Sequence, residues 1–260
     1  MSNHVDEWGF DQEFLGKLMP YLTFLYAKYW RVETTGLENI PASGRALLVA
    51  NHSGQFPFDG FMLGIALLTE HPAKRLVRAL YGTWFATLPF ASALMTRLGG
   101  VLASEENGIR LLEQDQLVAV FPEGYKGISK LYTQRYRLAR FGRGGFIHMA
   151  LKTRTPIIPV SIVGAEETYI SLAKIPGSER FVGYPLPPIT PSWPWLGLLG
   201  AIPLPTKWFI DIGAPLPTGN QSSEAANQLT LVLQLSDQIR NTIQQMTYQR
   251  LGQRKSVFFG

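Results

Sequence analysis

Ala46-Leu47-Leu48-Val49-Ala50, running into Asn51-His52-Ser53-Gly54-Gln55-Phe56-Pro57-Phe58-Asp59-Gly60, is the stretch on which the architecture turns. Its apolar run is too short for a helix and shows no alternation, as expected of a strand buried on both faces. The run stops at a polar turn, and Phe61–Leu68 then takes up helical spacing. The same pattern recurs at Leu117–Phe121 (LVAVF), which ends in Pro122-Glu123-Gly124, and at Pro156–Val163 (PIIPVSIV). Arg31–Thr35 and Trp208–Ile212 read as further strands. Glu105–Gln114, Gly145–Lys152 and a long segment over Ser222–Gln249 read as helices, the last with apolar Leu229, Val232, Leu233, Leu235, Ile239, Ile243 and Met246. Strands alternating with helices predict an α/β fold with a mixed, largely parallel sheet flanked by helices. Ligands of such sheets bind beyond the carboxyl ends of the strands, so the two polar turns are expected to share one crevice.

Outward from this centre, Phe14–Trp30 carries Phe14, Leu18, Tyr21, Leu22, Leu25 and Tyr29 at helical spacing, with aromatics toward its end. That suits an amphipathic helix, packed on a core or lying in a membrane interface. The expected organisation is residues 1–30 as an N-terminal amphipathic segment and 31–260 as a single domain that includes the C-terminal helix. No internal repeat, low-complexity tract or linker interrupts it.

Composition narrows the chemistry. The 260 residues are 46% hydrophobic and 17% charged, below the usual charged share of about 25%, and unlike a disordered chain. Without cysteine there is no disulfide scaffold, thiol nucleophile or cysteine metal site. The four histidines (His4, His52, His71, His148) form no HExxH motif, so no metal site is expected. His148, between Ile147 and Met149, reads as a packed histidine. The first residues carry Asp6 and Glu7 and lack the pattern of a secretory signal. Phe181–Thr206 is uncharged but holds seven prolines, which rule out a spanning helix, and Ala79–Thr96 reads as buried or interfacial. The net charge is +5. Its excess is local: Tyr125–Arg154 holds eight basic residues and no acidic one, leaving sixteen basic against nineteen acidic residues elsewhere. Such a block suits a phosphate-bearing partner or a solvated basic face.

His52 and Asp59 at the end of a buried strand can form a base and its orienter: the carboxylate sets the imidazole tautomer, and the free nitrogen takes a proton from a hydroxyl. Gly144-Gly145, opening a helix beside Arg140 and Arg143, makes an anion site plausible. The polar turns also stand in order with two further segments. Asn51-His52 with Asp59, Gly100-Val101-Leu102-Ala103, Phe121-Pro122-Glu123-Gly124 and Pro156-Ile157-Ile158-Pro159-Val160 follow one another, with Lys126 and Arg135–Phe146 (RYRLARFGRGGF) between the last two. Over Leu37–Leu216 this order resembles the glycerolipid acyltransferase superfamily, the lysophosphatidic acid acyltransferase-like enzymes. It is most similar to the monoacylglycerol and diacylglycerol acyltransferase-like branch.

The resemblance implies an O-acyltransferase that moves a fatty acyl group from an acyl thioester, acyl-CoA or acyl-ACP, to the hydroxyl of a lipid acceptor. It implies His52 as general base, Asp59 as its partner and no serine acyl-enzyme; no GxSxG motif is present to suggest one. By the same analogy Glu123 and Gly124 line the acceptor site. Two departures bear on this. Six residues separate His52 from Asp59, where the family commonly has four. Ser104-Glu105 stands where the family commonly has an arginine for the acceptor phosphate, which places Glu105 at the acceptor and points to an uncharged one, a mono- or diacylglycerol or a long-chain alcohol. Lys130, Arg135, Arg137, Arg140, Arg143 and Gly144 are the candidates for phosphates of the donor or of a lipid headgroup. The alternatives are a lysophospholipid acyltransferase and a non-catalytic lipid-binding protein. No cofactor beyond the acyl donor and no nucleic-acid partner is expected, and oligomeric state is left open. Amphiphilic substrates imply peripheral or monotopic membrane association with the site on the cytoplasmic side. Trp193 and Trp195 in a proline-rich loop, the helix over Phe14–Trp30 and the basic block are the expected contacts.

Overall fold

A computed structural model describes residues 4–54, 56–83, 90–174, 189–219 and 223–260. Among the described residues seven strands form one sheet: β1 Glu33–Thr35, β2 Ala46–Ala50, β3 Val77–Tyr81, β4 Val101–Leu102, β5 Leu117–Val120, β6 Ile157–Val163 and β7 Phe209–Ile212. Their order is β1-β7-β6-β2-β5-β3-β4. The pairings from β6 across to β4 are parallel, β7 runs antiparallel to β6, and β1 is parallel to β7. The sheet is thus mixed and largely parallel, as the apolar runs predict.

Strand β2 lies at the centre, and every one of its residues is fully buried. Its side chains alternate between two layers. Ala46, Leu48 and Ala50 face a core built with Met62, Leu63 and Ala66 of helix α2 (Phe58–Thr69) and with Trp30 and Trp208, whose rings stack 4.6 Å apart. Leu47 and Val49 face the other core. That core takes Leu111 and Leu112 from α4 (Glu105–Glu113), Ile147 and Leu151 from α6 (Gly145–Thr153), and Ile239 and Ile243 from α7 (Leu229–Gln253). Between these lie α3 (Ala91–Arg97) and the short α5 (Tyr125–Ile128).

The N-terminal segment packs on the rest of the protein. Helix α1 (Gln12–Phe24), continued by a wider turn over Leu25–Tyr29, delivers Tyr26 and Trp30 into the first core. Asp6, Glu7 and Asp11 pair with Arg78, Arg97 and Arg110 of the domain, Asp6 with Arg78, Glu7 with Arg110 and Asp11 with Arg97. The stretch Ala79–Thr96 contributes part of β3 and most of α3, with 84–89 outside the described residues, and no described helix is long and apolar enough to cross a membrane. The C-terminal helix begins at Leu229 rather than at Ser222, which lies outside the described residues. A tight turn over Ser223–Asn227 precedes it and tucks Ala225 and Ala226 into the protein, leaving Leu229 exposed. Of the uncharged stretch Phe181–Thr206, residues 181–188 also lie outside the described residues.

Candidate active site

Because β2 and β5 are neighbours, with Val49 opposite Val120, their carboxyl ends open side by side. Asn51 follows β2 and is fully buried. Its amide donates to the Ile162 carbonyl (2.9 Å) and accepts from the Ile162 N–H (2.7 Å), so the start of the turn is pinned to β6. His52 comes next. The loop then carries the chain to Pro57, and α2 begins at Phe58, so Asp59 sits in the first turn of that helix. The long spacing therefore does not part the pair: Asp59 Oδ2 lies 2.6 Å from His52 Nδ1. The same oxygen accepts from the Ser53 N–H at 2.9 Å, and Oδ1 accepts from the Gly60 N–H at 2.8 Å. Asp59 is 1% exposed and has little freedom to turn. With a carboxylate at Nδ1, that nitrogen carries the ring proton and Nε2 is the basic one. The imidazole packs on Phe121, the first residue of the Phe121–Gly124 motif, at 4.8 Å between ring centres.

His52 and Asp59 line a cavity of about 230 Å³ that extends among Phe61, Gly64 and Leu68 of α2, Leu80 of β3 and Met95 of α3, and reaches Leu15 and Leu22 of α1. Away from the pair its wall is almost wholly apolar, the setting for a long hydrocarbon group. Gly124 lines it as well, in a positive-φ conformation (φ 53°) that favours glycine.

Glu123 is placed differently from the expectation. Its side chain is fully buried; Oε1 accepts from the His52 N–H (3.0 Å) and Oε2 from the Ala139 N–H (2.6 Å). The carboxylate is taken up inside the protein and does not line the cavity. Lys130 is likewise no free phosphate ligand. Its ammonium lies 2.7 Å from Glu166 and 3.2 Å from Glu123, and the side chain is largely buried.

The remaining candidates do not converge on one point. Glu105, Arg143 and Gly144 share a second cavity of about 280 Å³, which meets the first across Leu80, Ala103 and Phe121. Glu105 lies 2.6 Å from Nδ1 of His148, which gives that histidine a partner besides its packing. Gly144 adopts φ 82° as the cap of α6, and a Cβ there would meet Val232 at 2.4 Å, so packing alone requires glycine. Arg137 lines a separate hollow with Lys126, Lys174 and the Lys130 side chain. Arg135 lies over the Tyr132 ring and beside Glu167, and Arg140 is exposed. The basic block is thus divided among several surroundings.

Two contributors to the site carry no signal in the sequence. Gly127 lies against the turn so closely that a Cβ there would come within 2.8 Å of His52 Cβ and 2.9 Å of Glu123 Cβ. Glu166 sits far along the chain from either motif and only the fold brings it to Lys130.

The Acyltransferase family model matches residues 31–163, which span β1 through β6 and hold His52, Asp59, Glu123 and Gly127. The chain belongs to the glycerolipid acyltransferase superfamily. Among its relatives, an uncharacterized protein of Mycobacterium tuberculosis is 46% identical over 257 residues, covering 98% of this chain and 72% of that one. The human DGAT1/2-independent enzyme synthesizing storage lipids is 25% identical over 74% of this chain and 56% of its own length. Mouse 1-acyl-sn-glycerol-3-phosphate acyltransferase alpha is 29% identical over 57% of this chain and 52% of its own. The crystal structure of PlsC, the 1-acyl-sn-glycerophosphate acyltransferase of Thermotoga maritima, superposes with a TM-score of 0.58 over 94% of this chain and 80% of that one. At 20% identity, that likeness is one of fold.

Proposed function

We propose that this acyltransferase moves a fatty acyl group from an acyl thioester, acyl-CoA or acyl-ACP, to the hydroxyl of an uncharged lipid acceptor, with His52 as general base. One observation carries the reading: a histidine oriented by a buried aspartate stands at an apolar cavity suited to an acyl chain. His52 Nε2 takes the acceptor's hydroxyl proton as that oxygen attacks the thioester carbonyl. The tetrahedral intermediate collapses, the carbon–sulfur bond breaks, and the thiolate recovers the proton from the imidazolium. Asp59 stabilises that cation and holds the ring in the productive tautomer. Holding donor and acceptor together supplies much of the remaining acceleration.

Glu105 beside the second cavity disfavours a phosphate there, which supports an uncharged acceptor. Arg143 in the same cavity is the feature that favours a phosphate-bearing acceptor such as lysophosphatidate. The test is to incubate purified protein with labelled acyl-CoA or acyl-ACP and lysophosphatidate, monoacylglycerol, diacylglycerol or a long-chain alcohol. Uncharged acceptors are expected to show the higher kcat/KM. Preference for lysophosphatidate would transfer the acceptor role to Arg143, and absence of transfer to any acceptor would favour a lipid-binding protein without catalysis.

The working site is proposed to face a membrane surface without a spanning segment. Tyr21 and Phe24 of α1 are exposed, as are Trp195, Leu196, Leu199 and Ile202 in the loop before β7. Tyr29 and Trp30 donate to the carbonyls of Pro203 and Leu204, which fastens the two elements side by side.

A further inference from the structure

Beneath the turn that carries His52 lies a group of buried charges that acyl transfer as written does not use. Glu123 receives the His52 N–H on one oxygen and the Ala139 N–H on the other. Lys130 stands between this carboxylate and Glu166, at 3.2 and 2.7 Å, and also lies 3.4 Å from the Arg137 carbonyl. The far oxygen of Glu166 accepts the Tyr136 N–H at 2.7 Å. One ammonium thus ties together the His52 turn, the end of β5, the segment 136–139 and the turn after β6.

Burying such charges is costly unless each is paired, and apolar side chains of matching shape would often serve stability as well. What they supply is fixed geometry. Gly127 packs on both residues so closely that a Cβ there would meet each within 3 Å. Because Glu123 accepts the His52 N–H, a shift of its carboxylate passes to the His52 turn.

Resting on the reading of His52 as the base, we propose that Lys130 is a positioning residue for acyl transfer. By bridging Glu123 and Glu166 it holds the Glu123 carboxylate under the His52 N–H and keeps the imidazole aligned with Asp59. Burial works against the charge on Lys130, but Glu166 and Glu123 outweigh it and raise the lysine's pKa, so the bridge stays charged.

The experiment compares wild type, His52→Ala, Lys130→Met, Lys130→Arg and Glu166→Gln in the full chain, with kcat and KM measured for acyl-CoA and for the preferred acceptor. Lys130→Met is expected to lower kcat by about 10- to 100-fold while the KM for acyl-CoA stays within about twofold, and Lys130→Arg is expected to recover most of the loss. Should Lys130→Met not fold, Glu166→Gln, which keeps the shape of the site, carries the test at pH 8, where Glu166 is ionised in wild type: a lower kcat at unchanged KM supports the bridge. Unchanged kcat in the folded variants overturns it. So does a raised KM for acyl-CoA at wild-type kcat, which would make Lys130 a donor ligand. Full activity of His52→Ala would instead remove the base, a failure separate from that of the bridge.

Discussion

His52 can lose its imidazole without losing the bond that anchors its turn, because Glu123 accepts from its backbone N–H. His52→Ala is therefore expected to fold as wild type by circular dichroism, and to lose about 10²-fold or more in kcat, the loss of a general base. Wild-type turnover in that variant would end the proposed mechanism. Asp59→Asn is expected to lose less activity, since the ring keeps its seat on Phe121. Yet one of the two oxygens that now accept N–H groups becomes an amide nitrogen, so its stability should fall by about 1–3 kcal/mol. Glu166 gives a prediction of a different kind. It is buried against Lys130, with Glu123 across that lysine and the Glu167–Arg254 pair one residue on. Burial pushes its carboxyl up to about 7, against the pull of Lys130 and the Tyr136 N–H. The unfolded chain gives up that proton near the ordinary value of about 4.3. Between those values the folded protein holds a proton that the unfolded chain lacks, so stability falls as pH rises through that window. Urea midpoints at pH 5 and pH 8 should differ less in Glu166→Gln than in wild type; an equal drop in both would show that Glu166 is ionised throughout.

At the level of elements, the site depends on how strand ends are fastened. Asn51 locks the end of β2 to β6, and the start of α2 returns Asp59 to His52 after a loop longer than the family usually has. Helix α5 is only one turn long, yet it brings Gly127 against the His52 turn. Gly127→Ala introduces a methyl where the nearest atoms are the backbone oxygen and Cβ of His52 and the Cβ of Glu123, none of which can swing aside. Such overpacking should cost about 1–3 kcal/mol, and displacement of the base should lower kcat by at least about tenfold. Thermal melts and steady-state kinetics on the one variant check both; unchanged kcat would show that the turn tolerates movement. Helix α7 supports the same region from the far side. Arg240 donates to the carbonyls of Leu138 and Ala139, and Gln244 bonds the backbone of Tyr136 and Leu138, so the segment that caps Glu123 is held by the C-terminal helix.

Across the whole molecule, exposed apolar side chains gather on α1 and on the loop before β7. Trp195 is 75% exposed and Tyr21 71%. They belong to two elements joined through Tyr29 and Trp30, while Phe56 of the His52 loop packs on Tyr169, whose hydroxyl donates to the Ala201 carbonyl. Exposed aromatic and aliphatic side chains of this kind favour the headgroup region of a bilayer. In flotation with anionic liposomes, wild type is expected to rise with the vesicles, less so at high salt. Trp195→Ala combined with Leu199→Ala should reduce flotation further. If wild type stays in the dense fraction, the proposed membrane face is wrong.

The chain's own residues determined the layered α/β architecture and the His52–Asp59 pair, since both are written in short-range signals. Apolar runs such as Ala46–Ala50 have no stable place except between two layers, and a histidine and an aspartate flanking one turn can meet only locally. The edge strand β4 is just two residues long and β3 carries the charged Arg78, so neither shows such a run. The use of each charge was decided by the tertiary structure. Glu123 and Lys130 look like ligands in a linear reading, yet β2 and β5 lie side by side, and the turn after β6 brings Glu166 beneath them. In that dry interior each charge must find a partner, so Lys130 is spent on two carboxylates, while Arg143, on the surface of the second cavity, remains open to a ligand. Sequence spacing carries no record of that choice, because desolvation depends on what the rest of the chain folds over it.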